Sequence, residues 1–282
     1  MAVIAAARSA ERKGEPAQSR RLPRISSLPA ALLLSLFLVL PLAGLLIRAT
    51  GSSTVLQAAT RPIVLDALRL SLFVTIVVLV VTLVLGSPLA LLLARKRSRL
   101  IGVLDTLVDL PIVLPPAVAG LALLLTFGRR GVLGGPLQAL GIELPFTTAA
   151  VVLASVFVAA PFYVRAARSG FLAVPREIEE AARVEGASNW QLFRHVTAPL
   201  AAPSLLGGAV LCWARALGEF GATIMFAGSF EGRTQTMPLA IYAALEGDAD
   251  AAISLSVLLL AISFALLVLF RRWLRTPNSA SL

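Results

Sequence analysis

Six long apolar stretches constrain what this chain of 282 residues can fold into. They are residues 28–47, 68–94, 103–127, 147–164, 199–228 and 251–270. Each can cross about 30 Å of hydrocarbon at 1.5 Å per residue, if some tilt is allowed. Membrane strands run only about ten residues, and backbone groups in lipid must bond within their own segment. The sequence therefore predicts an all-α integral membrane protein with six transmembrane helices.

The composition supports a lipid bilayer as the solvent of this chain. Hydrophobic residues make up 58% of the chain and charged residues only 14%, against about 25% in soluble domains. The net charge of +10 comes from short basic runs between apolar stretches, which is typical of membrane proteins and argues against a nucleic-acid partner. Cys212 and His195 are the single cysteine and histidine, so we expect no metal site.

The basic residues also predict the orientation. Of the 25 lysines and arginines, 18 fall on one side of the predicted membrane and five on the other. The basic-rich side holds residues 1–27, the connection after residue 94, the connection from Arg165 through the loop 167–198, and the end of the chain from Arg271 through the tail 273–282. By the positive-inside rule both termini are expected in the cytoplasm. Residues 1–27 could begin a signal peptide, but the apolar run after them is too long, so we predict a disordered tail before an uncleaved first helix.

The loop 167–198 predicts two short helices joined by a tight turn. Pro175 suits the start of the first helix, and Gly186 suits a left-handed cap at its end. Ser188 and Gln191 have the spacing of a capping box for the second helix, which Pro199 is expected to end. Trp190 and Phe193 are large apolar residues in a segment expected to face water. From the residues alone, an amphipathic loop lying on the membrane surface explains this pattern equally well.

Three prolines interrupt the third apolar stretch. Pro111, Pro115 and Pro116 remove backbone donors and predict a kinked or broken helix. Broken helices at membrane depth occur where the backbone faces protein or a water-filled cavity. The alternative is a simple packing kink.

Two charged residues lie in the fifth apolar stretch. Arg215 and Glu219 are four residues apart, so on one helix they share a face and can pair. Charges inside a span are costly and mark functional sites by default. Gly218 and Gly221 allow close approach of another backbone, and Thr223 adds a hydroxyl. We predict that these residues and the three prolines line a translocation path or gate; the alternative is a structural ion pair at a helix end.

No catalytic site is predicted in this chain. It has no G-x-x-x-x-G-K-[ST] phosphate-binding loop, so a separate subunit would have to hydrolyse ATP. An intramembrane enzyme would need a histidine cluster, paired carboxylates or an activated nucleophile, and none is evident. A plain membrane anchor would leave the charged pair and the structured loop unexplained.

Two segments resemble a known family. The loop pattern resembles the cytoplasmic loop of ABC importer permeases at Glu180, Ala181, Ala182, Gly186, Val196, Ala198 and Pro199, with Val196 and Ala198 in place of the usual isoleucine and leucine. Residues 214–242, ARALGEFGATIMFAGSFEGRTQTMPLAIY, resemble bacterial molybdate ABC transporter permeases. The resemblance extends over about residues 60–272.

This resemblance implies a type I ABC importer permease, with residues 28–272 as the transmembrane domain. The loop would hold the coupling helix that docks on the ATPase, with Trp190 and Phe193 beside the matched positions. The implied partners are a second copy of the chain, two ABC ATPase subunits that bind ATP and Mg²⁺, and an external oxyanion-binding protein. The implied location is the bacterial inner membrane, and no cofactor is expected in this chain. The implied substrate is molybdate or tungstate; the alternative within the same class is sulfate or thiosulfate.

Overall fold

The computed structural model describes residues 27–50 and 61–275, and within those ranges every regular element is helical. Five helices are long and apolar enough to cross a membrane, or six if one bent pair counts as a single span. The all-α membrane fold predicted from the apolar stretches is therefore confirmed. Ser27 begins the first helix, and the rest of the predicted tail 1–27 lies outside the described residues, as do residues 276–282 of the tail 273–282.

The elements follow one another along the chain with short connections. They are α1 Ser27–Thr50, α2 Pro62–Arg95, α3 Arg99–Val113, α4 Pro116–Phe127, α5 Gly134–Ala139, α6 Thr148–Ala173, α7 Arg176–Val184, α8 Asn189–Leu192, a π-helical turn Phe193–Thr197, α9 Ala198–Leu217, α10 Gly221–Ala227, α11 Met237–Gly247 and α12 Ala249–Arg275.

Helix α1 belongs to a compact unit of its own that ends at Arg48. Its 24 residues have no acidic residue in the first turn and Arg48 in the last turn. A cation at this position is favourable, because the carbonyl end of a helix carries partial negative charge.

The core of the second unit is built by α2, α6 and α9. These helices bury small side chains such as Val78, Ala159 and Ala209. Small residues let the backbones approach closely: a Cβ at Gly208 would lie 2.7 Å from the Cβ of Ala166. The buried Tyr163 hydroxyl lies 2.6 Å from the Ser87 hydroxyl, so this polar pair inside the apolar core is satisfied.

Three predicted spans have different bounds in the structure. Helix α2 begins at Pro62 rather than at residue 68, with proline in the first turn as expected for a helix start. Helix α6 runs through Ala173 rather than ending at residue 164. Arg165 and Arg168 are therefore helical, and the predicted loop 167–198 begins inside the helix. The predicted span 103–127 is two helices, α3 and α4, bent by 118°.

The predicted span 199–228 is also interrupted. Helix α9 ends at Leu217, and α10 begins at Gly221. Helix α11, Met237–Gly247, follows before the last long helix and was not predicted, because its 11 residues are too few for a span. Helix α11 packs in a second apolar cluster with the beginnings of α2 and α12, through Met237, Val64 and Leu255.

Candidate functional site

The segment between α6 and α9 is a helix–turn–helix whose turn and second N-cap were predicted correctly, whereas Pro175 is the N-cap of the first helix rather than its first residue. Gly186 adopts a φ of +89°, a conformation that glycine tolerates best. Its N–H donates to the carbonyl of Arg183 at 3.0 Å. At the next helix, the Gln191 N–H donates to the Ser188 hydroxyl and the Ser188 N–H to the Gln191 side chain, which completes the capping box.

Pro199 does not end the second helix, contrary to the prediction. The helical run continues from Asn189 to Leu217, and Pro199 lies in the first turn of α9. The π-helical turn Phe193–Thr197 stands just before it, and the Ala198 N–H bonds to the carbonyl of Phe193, five residues back. A proline ring clashes with the carbonyl four residues earlier in an α-helix. We infer that the wider π turn relieves this clash.

Glu179 anchors this segment to the membrane helices. Its carboxylate is buried and accepts hydrogen bonds from the Arg95 guanidinium at 2.6 Å and from the Thr197 hydroxyl at 2.6 Å. Arg95 ends α2, and Thr197 ends the π turn. One side chain of α7 therefore ties α7 to two other helices, all at one end of the bundle, which we call the Arg95 end.

The opposite face of the segment is open. Val184 is 89% exposed and Trp190 is 65% exposed, and the Trp190 ring stacks on the Phe193 ring with centroids 5.9 Å apart. Glu180 and Ala181 are exposed and Ala182 is half-buried. Exposed large apolar side chains on a polar helical segment are typical of a surface that another protein or the membrane surface covers.

The prolines of the third apolar stretch stand at and near a sharp break. Helix α3 ends at Val113, α4 begins at Pro116, and Pro115 is the N-cap of α4. Pro111 is buried inside α3, whereas Pro115 and Pro116 are exposed. The break is thus a 118° corner, larger than a packing kink.

Arg215 and Glu219 form an ion pair across a helix end, not along one helix face as predicted. The Arg215 guanidinium lies 2.7 Å from the Glu219 carboxylate. The Glu219 side chain is 1% exposed and that of Arg215 is 27% exposed. Glu219 lies in the break between α9 and α10, and its second oxygen accepts the N–H of Ala222 at 2.8 Å. Glu219 therefore both pairs with a cation and caps the next helix.

Helix α10 is pressed against α4 beside this pair. A Cβ at Gly221 would lie 2.7 Å from the Cβ of Pro116, and a Cβ at Gly120 would lie 2.7 Å from the carbonyl oxygen of Ala222. Thr223 is fully buried in α10, and its hydroxyl has no hydrogen-bond partner among the described residues. The structure thus brings Pro116, Gly221, Glu219 and Arg215 into one region, with Gly218 exposed at its edge.

Sequence reasoning missed a second charged cluster. The Arg165 guanidinium donates to Asp105 at 2.5 Å and also to Asp109, and Arg168 lies 3.2 Å from Asp105. These residues join α6 to α3, the helix before the proline corner. The signal available in the sequence was the four-residue spacing of the two aspartates within an apolar stretch, where charges need partners.

Comparison with known proteins identifies the family. Residues 86–276 match the family described as "Binding-protein-dependent transport system inner membrane component". The chain belongs to this family. The matched region of this inner membrane component contains the anchored helix–turn–helix, the proline corner and the Arg215–Glu219 pair.

Named relatives are similar over most of their length. The chain is 43% identical to the "Molybdenum transport system permease protein ModB" of Mycobacterium tuberculosis over 256 residues, which covers 91% of this chain and 96% of the relative. It is 37% identical to the protein of the same name from Escherichia coli K12, over 74% of this chain and 92% of the relative.

Solved structures show the fold of this inner membrane component. A chain of a bacterial alginate ABC transporter, solved with an alginate-bound periplasmic protein, matches with a TM-score of 0.73 and 16% identity, over 91% of this chain and 95% of that one. A chain of the inward-facing MetNI methionine ABC transporter matches with a TM-score of 0.61 and 21% identity, over 76% and 95%. The fold is therefore that of ABC importer permeases.

Proposed function

We propose that this chain is the membrane-spanning subunit of an ATP-driven importer that moves molybdate or tungstate into the cytoplasm by alternating access. The names of relatives 37% to 43% identical over most of their length support the substrate. The observation that carries the mechanism is the two-faced helix–turn–helix. Its outer face exposes Val184 and Trp190, whereas its inner face is tied through Glu179 to α2 and the π turn.

The proposed assembly has two copies of this chain and two ATPase subunits. The ATPases bind the exposed face around Glu180, Ala181, Gly186 and Trp190, with the half-buried Phe193 behind the Trp190 ring. They hydrolyse ATP with Mg²⁺, so this chain needs no cofactor of its own. An external oxyanion-binding protein delivers the substrate at the opposite end. In this arrangement the helix–turn–helix and both termini are cytoplasmic, in agreement with the excess of basic residues on that side.

The Arg215–Glu219 pair is proposed as part of the gate. The partly exposed Arg215 guanidinium offers donors that suit an oxyanion. A strong fixed site would trap the ion, because conduction needs binding weak enough to release. Glu219 weakens the attraction between Arg215 and the ion. The break at Gly218 and the Pro115–Pro116 corner allow α10 and α4 to move relative to each other.

Uptake by the reconstituted assembly tests the function. The permease, its ATPase and its binding protein are placed in proteoliposomes, and uptake of radioactive molybdate is compared with that of radioactive sulfate. We expect ATP-dependent molybdate uptake with little sulfate uptake; the reverse preference would establish the sulfate alternative.

Glu180→Lys on the exposed face should uncouple ATP hydrolysis from uptake without loss of assembly. The matched control is Glu246→Lys, the same charge reversal at an exposed position of α11, outside the helix–turn–helix.

Glu219→Gln tests the gate. Glutamine keeps an oxygen that can accept the Ala222 N–H, so the helix cap survives while the charge is lost. We expect molybdate uptake to fall severalfold with the complex intact. The control is Glu143→Gln, which removes the exposed ion pair with Arg129, 2.8 Å long. If uptake by Glu219→Gln were unchanged, the Arg215–Glu219 pair would have only a structural role at the helix end.

A further inference from the structure

A cavity of about 450 Å³ opens at the Arg95 end of the bundle, between the last turns of α2, helix α7 and the start of the Asn189–Leu217 run. Its wall has two chemically different parts. Leu91, Leu92 and Phe193 contribute an apolar part, and Arg95, Lys96 and Arg183 contribute a cationic part.

The cationic part carries excess positive charge. Arg95 is neutralised by Glu179 at 2.6 Å. Lys96 and Arg183 are exposed, and neither forms an ion pair with any residue in the ranges 27–50 and 61–275. Two unpaired cations that face one cavity attract an anion, and the fork of an arginine suits a phosphate group.

The apolar part distinguishes between possible anions. Pro88, also in the wall, precedes Arg95 by about two helical turns, or roughly 10 Å along α2. The cavity therefore runs from the charged end of the helix toward the depth of the acyl chains. A free oxyanion would use the cations alone, whereas a phospholipid would also cover the apolar wall.

We propose that this cavity binds an anionic phospholipid, with the headgroup phosphate between Lys96 and Arg183 and an acyl chain along Leu91, Leu92 and Phe193. A phospholipid and a free oxyanion would both place a phosphate-like group between these cations. Only the phospholipid would also place an acyl chain on the apolar wall. Such a lipid bridges α2 and α7 beside the Arg95–Glu179 bond. The proposal depends on the membrane location of the chain and is independent of the transported substrate.

Native mass spectrometry of the purified full-length chain tests the site. The protein is titrated with phosphatidylglycerol, with phosphatidylcholine as the uncharged-headgroup comparison. We expect preferential binding of phosphatidylglycerol, weakened roughly tenfold or more in the double variant Lys96→Gln/Arg183→Gln. The control variant Arg99→Gln/Arg176→Gln removes the same charge from exposed positions outside the cavity wall and should stay within about twofold of the wild type.

Three outcomes would overturn the proposal. If both double variants lost the same affinity for phosphatidylglycerol, the lipid would be attracted by the overall surface charge and not by this cavity. If Lys96→Gln/Arg183→Gln bound phosphatidylglycerol as tightly as the wild type, these two cations would not bind the lipid. Glycerol phosphate, which has the headgroup without chains, is the third arm. If it bound as tightly as phosphatidylglycerol and displaced it, the cavity would be a site for free oxyanions.

Discussion

The contact between α10 and α4 predicts a strong effect for the smallest possible substitution, Gly221→Ala. The added Cβ would stand 2.7 Å from the Cβ of Pro116, whereas ordinary contacts begin at 3.4 Å. The two helices must therefore separate by about 0.7 Å, or the proline ring must yield, and a ring has little freedom to do so. Overpacking of this kind costs about 1–3 kcal/mol.

Gly218→Ala is the matched control. It adds the same methyl group three residues away, where the nearest atom is the Ala214 carbonyl oxygen at an ordinary 3.7 Å. Gly218 has a φ of −90°, which alanine adopts readily. We expect this variant to stay within about 0.5 kcal/mol of the wild type.

Thermal unfolding of the purified permease in detergent measures the difference. The apparent Tm of Gly221→Ala should fall by several degrees, about 2–4 °C for each kcal/mol in a chain of this size, and that of Gly218→Ala should not. Molybdate uptake in proteoliposomes should fall with Gly221→Ala, because the contact lies beside the Arg215–Glu219 pair. If the two variants had equal Tm and equal uptake, the close contact at Pro116 would not constrain this region.

Three further predictions follow from the ion pairs and the topology. Glu179→Gln should lower the apparent free energy of unfolding by about 1–3 kcal/mol, because it weakens a charged hydrogen bond that is buried; Glu177→Gln on the exposed face should leave it unchanged, and equal effects would refute the anchor. Arg165→Lys should lower the apparent Tm by a few degrees, since lysine cannot span two aspartates as a guanidinium does; an unchanged Tm would mean that the cluster adds no stability. In a chain with Cys212→Ser, a membrane-impermeant thiol reagent applied outside whole cells should label Glu231→Cys and not Ser188→Cys; the reverse pattern would invert the topology.

Local rules account for the parts of the fold that the sequence predicted well. The apolar stretches located the long helices, because backbone groups in lipid must be satisfied within each segment. Gly186 and the Ser188–Gln191 box located the turn, since a cap depends on residues within one turn of the helix end. The break at the proline corner was predicted because proline lacks the backbone donor that a continuous helix needs. The angle of the break was not predicted.

Long-range contacts account for what was missed. Glu177, Glu179 and Glu180 are alike in sequence, and only the position of α2 decides that Glu179 faces inward to Arg95. Arg165 was assigned to the connection after the fourth apolar stretch because that stretch ends at residue 164, and its partners Asp105 and Asp109 on α3 lie far away in sequence. The Arg215–Glu219 pairing was predicted from spacing, but the spacing rule assumes a continuous helix. The helix ends at Leu217, so the pair spans a break.

The π turn before Pro199 has a mechanical consequence. Because the helical run is continuous from Asn189 to Leu217, the exposed Trp190 and the paired Arg215 stand on one rod, roughly 37 Å apart at 1.5 Å per residue. If the rod moves as one piece, a tilt of about 5° about its Trp190 end displaces the far end by on the order of 3 Å. That displacement is several times the roughly 0.7 Å by which α10 and α4 would have to separate to admit a Cβ at Gly221. On such a motion the helix would act as a lever, and a small rotation at its Trp190 end would move Arg215 relative to α10 and α4.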